Sequence, residues 1–444
     1  MKTEHLPSSF LSRRDALRCC VAGSAGLLLM EPIAIHADQP KPTGKAKSVI
    51  QVWLWGGPSH LDTFDPKPGA GYDYCGALDK PIETNVKGIQ IGQLFPELAK
   101  CADKYSLIRR MTHGNNGHET AAYMVQTGRM SERDVFPGLG AVVSYFKGYK
   151  AGYTGLIPPY IVLTEPQGRF SEAGFLGPAY KPFATGGNPA STPFEVEGII
   201  YPGLTEERQK TRRDLLGKLN TLGGVLPGNA SIKTVADSQD QAYELILGDS
   251  RKLFDLSQEK EELRERYGRN TFGQSCLMAR RLVESGVPYV TINYGGWDHH
   301  KGIFPILNRM GPQLDNGLST LLTDLSDRGL LESTIVWCCG EFGRTPKIDW
   351  QAPWNGGRNH YGKVFSCLIS GGGFKGGQVI GSSTAKGEEP AERPVYPADL
   401  LGSVCLQLGI PADAELPHPQ GDKTHVVPDA SEGVKMGGLL KELV

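Results

Sequence analysis

The chain has 444 residues, of which 39% are hydrophobic and 21% are charged, and its formal net charge is −1. This composition is that of a globular protein with a large core. The balanced charge predicts no broad basic surface, so we expect neither nucleic acid nor an anionic membrane as a partner. No apolar run reaches the roughly 18 residues that a membrane-spanning helix needs, which argues against stable insertion in a membrane.

The N-terminus has the pattern of a targeting segment. Arg13 and Arg14 precede an uncharged stretch from Cys19 to Met30, and a cleavage site fits after Ala37. Paired arginines ahead of a modest apolar region resemble a twin-arginine export signal. The alternative, a buried first helix, fits poorly with so short a run. We therefore expect residues 1–37 to be a signal peptide and the mature protein to be periplasmic or extracellular.

Apolar runs that end at glycine recur along the mature chain. Four of them have the pattern of strands: KSVIQVWLWGG (47–57), YSLIRRMTHG (105–114), VPYVTINYGG (287–296) and STIVWCCG (333–340). Helical patterns closed by glycine precede the last two, as expected for a parallel sheet covered on both faces. The sequence therefore predicts an α/β fold with three layers, in which a mostly parallel central sheet lies between helices.

Polar side chains that can bind a metal follow each of these strands. A further strand pattern at 363–373 is preceded by His360. Ligands of open α/β sheets bind outside the carboxyl ends of the strands. The polar groups should therefore converge on one crevice, although they are distant in the sequence.

This convergence favours one large domain over residues 38–444. A glycine-rich stretch predicts a loop insertion at about 165–195, and a charged helical stretch predicts a helical insertion at about 205–270. The loop insertion has two interpretations, a surface connection or a lid that faces the substrate.

The residues most suited to metal binding combine nitrogen and oxygen ligands. They are Asp298, His299, His300, Glu341 and His360. Such a set suits zinc or manganese, with calcium or magnesium as alternatives for a carboxylate-rich site. Residues two apart in a loop can point the same way, so Asp298 and His300 form the better chelating pair. The alternative is that all of them are satisfied polar loop residues.

Several motifs together resemble a known family. They are GGPSHLDTFDPKP (56–68), HGNNGHETAAYMVQTGR (113–129), GFLGPAYKPF (174–183), GGWDHH (295–300), GEFGRTP (340–346) and GRNHYG (357–362). In this combination they resemble the "domain of unknown function 1501" family. Its members carry twin-arginine signals and are related to the alkaline phosphatase-like superfamily. The resemblance implies an alkaline phosphatase-like fold, while the family itself has no settled activity.

The resemblance also implies a ligand set. Asp298 and His300 resemble the aspartate and histidine that hold the first metal in the superfamily, with His360 as its distal histidine. Glu341 takes the place of an acid from a further metal-binding pair, and Phe342 stands where that pair has histidine. Ser59 stands where other family members have a metal-binding aspartate.

This departure concerns the second metal of the superfamily. Asp62 or His60 would have to substitute for the missing aspartate. The resemblance therefore leaves open whether Asp62 or His60 supplies this ligand of the second metal.

The nucleophile is implied less clearly. The stretch 117–129 ends in Thr-Gly-Arg, like the helix that carries the nucleophile in sulfatases, which places His118 near the nucleophile position and Thr120 two residues on. His118 could act as acid, base or nucleophile, and Thr120 is the more conventional nucleophile. No Cys-x-Pro-x-Arg motif is present, so formylglycine chemistry is not supported. Arg344 is expected either to bind an oxyanion or to form a structural salt bridge.

Two functions follow from these residues. The first is an exported, metal-dependent hydrolase of phosphate or sulfate esters, with a small molecule or a polymer as substrate. The second is a metal- or glycan-binding protein without catalysis, built on a degenerate enzyme scaffold.

Overall fold

The computed structural model describes residues 44–130, 134–165, 173–200, 203, 205–219, 230–428 and 430–444. The predicted signal peptide, residues 1–37, lies outside the described residues. The export prediction therefore stays a prediction.

The core of the protein is an eight-stranded sheet in the order β12-β4-β11-β8-β1-β7-β5-β6. The strands of this sheet and of four small two-stranded sheets are β1 (Ser48–Trp53), β2 (Ile82–Glu83), β3 (Gln90–Ile91), β4 (Tyr105–Met111), β5 (Tyr160–Leu163), β6 (Phe183–Ala184), β7 (Tyr289–Asn293), β8 (Thr334–Cys339), β9 (Gly343–Arg344), β10 (His360–Tyr361), β11 (Phe365–Ser370), β12 (Val379–Ile380), β13 (Ser382–Ser383), β14 (Pro390–Glu392), β15 (Glu415–Leu416) and β16 (Thr424–His425). The apolar runs predicted as strands in the sequence form β1, β4, β7, β8 and β11.

Helices cover both faces of the sheet. The α-helices of the described chain are α1 (Tyr72–Cys75), α2 (Pro96–Ala99), α3 (His118–Thr127), α4 (Leu139–Lys147), α5 (Glu206–Leu219), α6 (Ala230–Leu247), α7 (Glu261–Tyr267), α8 (Thr271–Glu284), α9 (Ile303–Asp327) and α10 (Pro397–Gln407).

Each strand sends alternate side chains to opposite layers. Val49 and Trp53 of β1 are buried in a core that also contains apolar residues of α3, α4 and α10. Because side chains alternate along a strand, Ile50 and Val52 face the other way, where α8 packs against β1 and β7. The predicted three-layer α/β fold with a mostly parallel sheet is confirmed.

Strand direction explains how distant residues meet. β1 is parallel to both β7 and β8. β11 is antiparallel to its neighbours β4 and β8. The start of an antiparallel strand lies at the same edge as the carboxyl ends of the strands beside it. His360, which precedes β11, therefore reaches the edge at which β1, β4, β7 and β8 end.

The described chain divides into two compact units. The larger comprises residues 42–204 and 248–444 and holds the whole eight-stranded sheet. The smaller includes residues 205–247, with helices α5 and α6. α7 and the residues beside it, which fall in the predicted helical insertion, belong to the larger unit.

The predicted loop insertion adds a short strand to the sheet. β6, from within it, pairs in parallel with β5 at the sheet edge, while residues 166–172 lie outside the described part. Over the described chain, no helix combines the length and the apolar character needed to cross a bilayer.

Candidate metal centre

Three side-chain atoms meet at the edge where the strands end. Asp298 and His300 lie in the loop after β7, and His360 begins β10. The Asp298 Oδ1 atom is 2.9 Å from His300 Nε2 and 3.0 Å from His360 Nε2. The two Nε2 atoms are 2.9 Å apart. One oxygen and two nitrogens therefore form a nearly equilateral triangle.

The triangle has about the size of one face of a tetrahedral metal site. Zinc lies about 2.0–2.2 Å from histidine nitrogens and carboxylate oxygens, which separates neighbouring ligand atoms by roughly 3.3 Å. The observed separations of 2.9–3.0 Å are slightly tighter. The spacing thus fits a first-row divalent ion without large movement.

The ring protons of both imidazoles are engaged elsewhere. His360 Nδ1 is 2.8 Å from the carbonyl oxygen of Asn116. A carbonyl only accepts, so Nδ1 carries the proton and Nε2 keeps a lone pair. His300 Nδ1 is 3.2 Å from Asn359 Oδ1 and is assigned the same tautomer. Three lone-pair sites then face one another, which requires a cation or an extra proton between them. The donor set therefore fits a metal ion.

His118 supplies a fourth donor atom, which is the third nitrogen. It is the first residue of α3, and its Nε2 atom is 3.3 Å from Asp298 Oδ2. Donor atoms of His118, Asp298 and His360 all lie within 4.8 Å of one another. His118 was predicted from the sequence as a catalytic residue, and the structure places it in a group of side chains that could hold a metal ion.

Glu341 orients the ring of His118. Its carboxylate is fully buried, accepts the Gly56 N–H at 2.9 Å and lies 2.6 Å from His118 Nδ1. Because the carboxylate accepts, Nδ1 donates and Nε2 of His118 is directed to the centre. This hydrogen bond raises the pKa of His118, while burial raises the pKa of Glu341. Glu341, predicted as a ligand, thus reaches the site through His118.

Arg344 fixes the position of Asp298. The residue is 2% exposed, and its guanidinium donates to Asp298 Oδ1 at 2.6 Å and to Gly57 O at 2.9 Å. Burial opposes ionisation of Asp298, but the hydrogen bond and the positive charge of Arg344 outweigh it and hold the pKa of Asp298 well below its usual range. Of the two roles expected for Arg344, the structure shows the salt bridge.

Asp62 lies in a separate buried ion pair. Its two oxygens accept from Arg358 Nε at 2.9 Å and Nη2 at 3.0 Å. His60 Nε2 donates to the carbonyl of Gly387 at 2.9 Å. Both side chains are about 1% exposed. The residues expected to replace the aspartate missing at Ser59 are therefore engaged in the interior, and neither belongs to the donor group around Asp298.

The remaining sequence candidates, Thr120 and His299, lie close to members of the donor group in the sequence. Thr120 is in the first turn of α3 and is half-buried. The Nε2 atom of His299 is buried without a hydrogen-bond partner, and burial lowers the pKa of His299 to about 4. Neither joins the donor group.

Aromatic rings pack against the histidines of the centre, a feature that the sequence motifs did not predict. Phe342 stacks on His360 with ring centroids 4.5 Å apart, and Trp55 stacks on His118 at 5.7 Å. Phe342 attracts notice in the sequence only as a departure from histidine. Its packing against an imidazole holds the ring orientation and excludes water from that side.

Comparison with solved structures gives remote matches over most of the chain. A sulfatase from Pseudoalteromonas sp., PsFucS1, is 15% identical; the match covers 92% of this chain and 74% of that one, with a TM-score of 0.36. A protein in the alkaline phosphatase superfamily from Vibrio parahaemolyticus is 11% identical, with 84% and 67% covered and a TM-score of 0.37.

A third match is a domain solved with zinc. The C-terminal periplasmic domain of EcEptC from Escherichia coli, in complex with Zn, is 9% identical, with 87% and 92% covered and a TM-score of 0.35. At such low scores these likenesses carry no argument about what this chain binds or does. No curated protein matches the chain.

Sequence comparison with protein families is decisive about membership. The family described as "Protein of unknown function (DUF1501)" matches residues 46–435. This span contains every strand of the central sheet and every residue of the metal centre. The chain therefore belongs to the DUF1501 family, as its motifs predicted.

Proposed function

We propose that this protein is an exported, metal-dependent hydrolase of phosphate or sulfate esters. The observation that carries the proposal is the triangle of Asp298 Oδ1, His300 Nε2 and His360 Nε2, whose lone pairs face one another within 3.0 Å. A site built in this way binds a cation and leaves part of its coordination shell to a substrate or water.

The metal would be held by Asp298, His300 and His360, with His118 as a fourth donor. Imidazole nitrogens favour zinc or manganese over calcium or magnesium. When bound, such an ion polarises an ester oxygen and lowers the pKa of bound water or hydroxyl.

The start of α3 would receive the anionic end of the substrate. Gly117 caps the helix without a side-chain hydrogen bond to its first N–H groups, and the N-terminus of a helix favours negative charge. The ring of His118 is held there by Glu341, so that its Nε2 lone pair faces the metal centre. Thr120, in the same turn, is the candidate nucleophile of this proposal.

A binding protein without catalysis is the second candidate. The structure favours it at one point, because Asp62 is paired with Arg358 and Ser59 provides no carboxylate, which leaves the second metal of the superfamily without an evident site. A single remaining metal could then serve for structure or ligand capture.

Metal analysis combined with ester assays separates the two candidates. The mature protein, purified after supply of zinc or manganese, should contain about one ion per chain and hydrolyse an aryl phosphate or an aryl sulfate. Asp298→Ala and His360→Ala should each lower both metal content and turnover. Metal retained without turnover on a broad ester panel would favour the binding protein. Wild-type protein that takes up no metal would exclude both.

A further inference from the structure

One loop near the metal centre carries Trp350, which stacks with Tyr72, and Trp354, which lies beside His300; these three residues are called the aromatic surface. Tyr72 is 66% exposed, and its ring is stacked on that of Trp350 with centroids 4.8 Å apart and planes 7° from parallel. Phe304 supports Trp350 at 6.0 Å. Because Trp350 covers one face of Tyr72, the exposure of Tyr72 comes from the rest of the ring. A flat aromatic face is therefore offered to solvent.

A closed loop connects this surface to the metal donors. Asp349 and Gly357 form a bridge at its base, and the loop between them carries both tryptophans. The ring of Trp354 is 6.3 Å from the ring of His300. His360 follows the loop after two further residues. The aromatic surface thus adjoins the centre at His300, and its loop leads directly to His360.

Backbone hydrogen bonds hold the surface in place. The Ile348 N–H donates to the carbonyl of Asp73 at 2.8 Å, which fastens the helix that carries Tyr72 to the start of the loop. The Gly302 N–H donates to the carbonyl of Trp354 at 3.0 Å, which fastens the loop to the chain that follows His300. Stacked rings fixed in this way are prepared for a ligand before it arrives.

The surroundings of the rings suit a sugar. Exposed apolar surface next to a functional site marks ligand binding. The negative face of an aromatic ring attracts the C–H groups on the flat side of a sugar ring. Each ring is followed in the sequence by an exposed polar residue, namely Asp73, Gln351 and Asn355, and the exposed Lys301 follows His300. Hydroxyl groups both donate and accept hydrogen bonds, so such a mixed rim matches them.

We propose that Tyr72, Trp350 and Trp354 form a carbohydrate-binding subsite. A sugar ring stacks on the outer face of Tyr72 and extends towards Trp354, with its ester group at the metal centre. The inference rests on the proposed function and deepens it, since it makes the organic part of the ester a sugar.

Direct binding measurements test the subsite without relying on turnover. The mature wild-type protein is titrated by calorimetry with a panel of sulfated, phosphorylated and unsubstituted oligosaccharides. Phenyl phosphate and adenosine monophosphate serve as probes without a stacked sugar chain. We expect an oligosaccharide to bind, and Tyr72→Ala to raise its dissociation constant roughly tenfold. Trp354→Ala should have a similar effect.

Two control variants make the test specific. Tyr72→Phe keeps the stacked ring and should retain binding within about twofold of wild type. Tyr149→Ala removes another exposed tyrosine, 39% exposed and packed against Tyr153, and should leave binding unchanged. Circular dichroism and the urea midpoint establish that each variant is folded.

The outcomes distinguish the subsite from the hydrolase. Oligosaccharide binding that needs Tyr72, in a protein that hydrolyses no ester, supports the subsite and refutes the hydrolase. Hydrolysis of aryl esters by a protein that binds no oligosaccharide overturns the subsite alone. Oligosaccharide binding equal in wild type, Tyr72→Ala and Trp354→Ala, or binding of adenosine monophosphate alone, also overturns it.

Discussion

At Asp298 a single carboxylate contacts four side chains. Its Oδ1 atom accepts from Arg344 and faces His300 and His360, and its Oδ2 atom faces His118. Arg344 neutralises part of the charge but leaves lone pairs directed at the imidazoles. The geometry of the centre therefore depends on groups that hold each donor as much as on the donors themselves.

Glu341 is the clearest of these supporting groups. In Glu341→Gln, the amide oxygen can still accept the Gly56 N–H, but the charged acceptor for His118 Nδ1 is lost. Loss of such a supporting hydrogen bond typically lowers metal affinity by about 10–100-fold. We expect a fall in this range when zinc is titrated into metal-free protein by calorimetry.

A second buried carboxylate provides the matched control. Asp315 accepts two backbone N–H groups of α2 and does not belong to the donor group around Asp298. Asp315→Asn should therefore leave zinc affinity unchanged. Equal zinc affinity in Glu341→Gln and wild type would show that Glu341 does not orient a ligand.

Asp62 distinguishes a structural carboxylate from a metal ligand. Removal of one partner from a buried ion pair leaves an uncompensated charge and costs about 3–5 kcal/mol. Asp62→Ala should lose stability of this order, because Arg358 is left buried without its carboxylate. Urea denaturation in the presence of a chelator measures it. A stability loss that appears only when zinc is supplied would instead make Asp62 a ligand.

The short sheet of β9 and β10 sets the position of His360. In the register of this sheet His360 lies opposite Arg344. Arg344 donates a hydrogen bond to Asp298 and His360 faces the same carboxylate, so the two residues lie on paired strands. Close backbone contacts around this element leave little room. A Cβ atom on Gly357 would lie 1.8 Å from the carbonyl oxygen of His300.

Gly357→Ala should therefore disturb the centre without touching a ligand. The added methyl group forces the loop 349–357 away from His300, with a cost of about 1–3 kcal/mol and weaker zinc binding. Gly295→Ala is the control, since a Cβ atom at that position would have no other atom within 4 Å. Denaturation and zinc titration of both variants check this. Unchanged zinc affinity in Gly357→Ala would mean that the loop does not position His300.

The sequence predicts the central elements well and the small ones poorly, for a physical reason. β8 is recognisable because it is buried on both faces and therefore continuously apolar. The same apolar character in β11 does not encode direction, so its antiparallel course could not be predicted. β9 and β10 have two residues each, and their pairing depends on tertiary contacts.

The residues of the candidate site also divide into those that a local sequence pattern reveals and those whose role depends on tertiary contacts. Asp298, His300 and His360 are recognisable because they are metal-ligating residue types beside strand ends. The role of Glu341 through His118 depends on a hydrogen bond across 223 residues. The partner of Asp62 depends on one across 296 residues. A local sequence pattern cannot predict hydrogen bonds between residues so far apart in the chain.

At the scale of the whole molecule, metal binding should stabilise the fold. The donors come from segments that are far apart in the sequence, so an unfolded chain lacks the site and the ion favours the native state. Free zinc at 100 times its dissociation constant should add about 2.7 kcal/mol of stability. Thermal denaturation should show a higher Tm with zinc for wild type and no such rise for His300→Ala. Equal Tm shifts in the two proteins would place the zinc elsewhere.

The central claim is that one cation binds among Asp298, His300 and His360. Crystals of the zinc-loaded protein, measured at the zinc absorption edge, locate the ion directly. We predict one anomalous peak about 2.0–2.2 Å from Asp298 Oδ1, His300 Nε2 and His360 Nε2. A peak bounded by other residues, or none at full zinc occupancy in solution, would contradict the account.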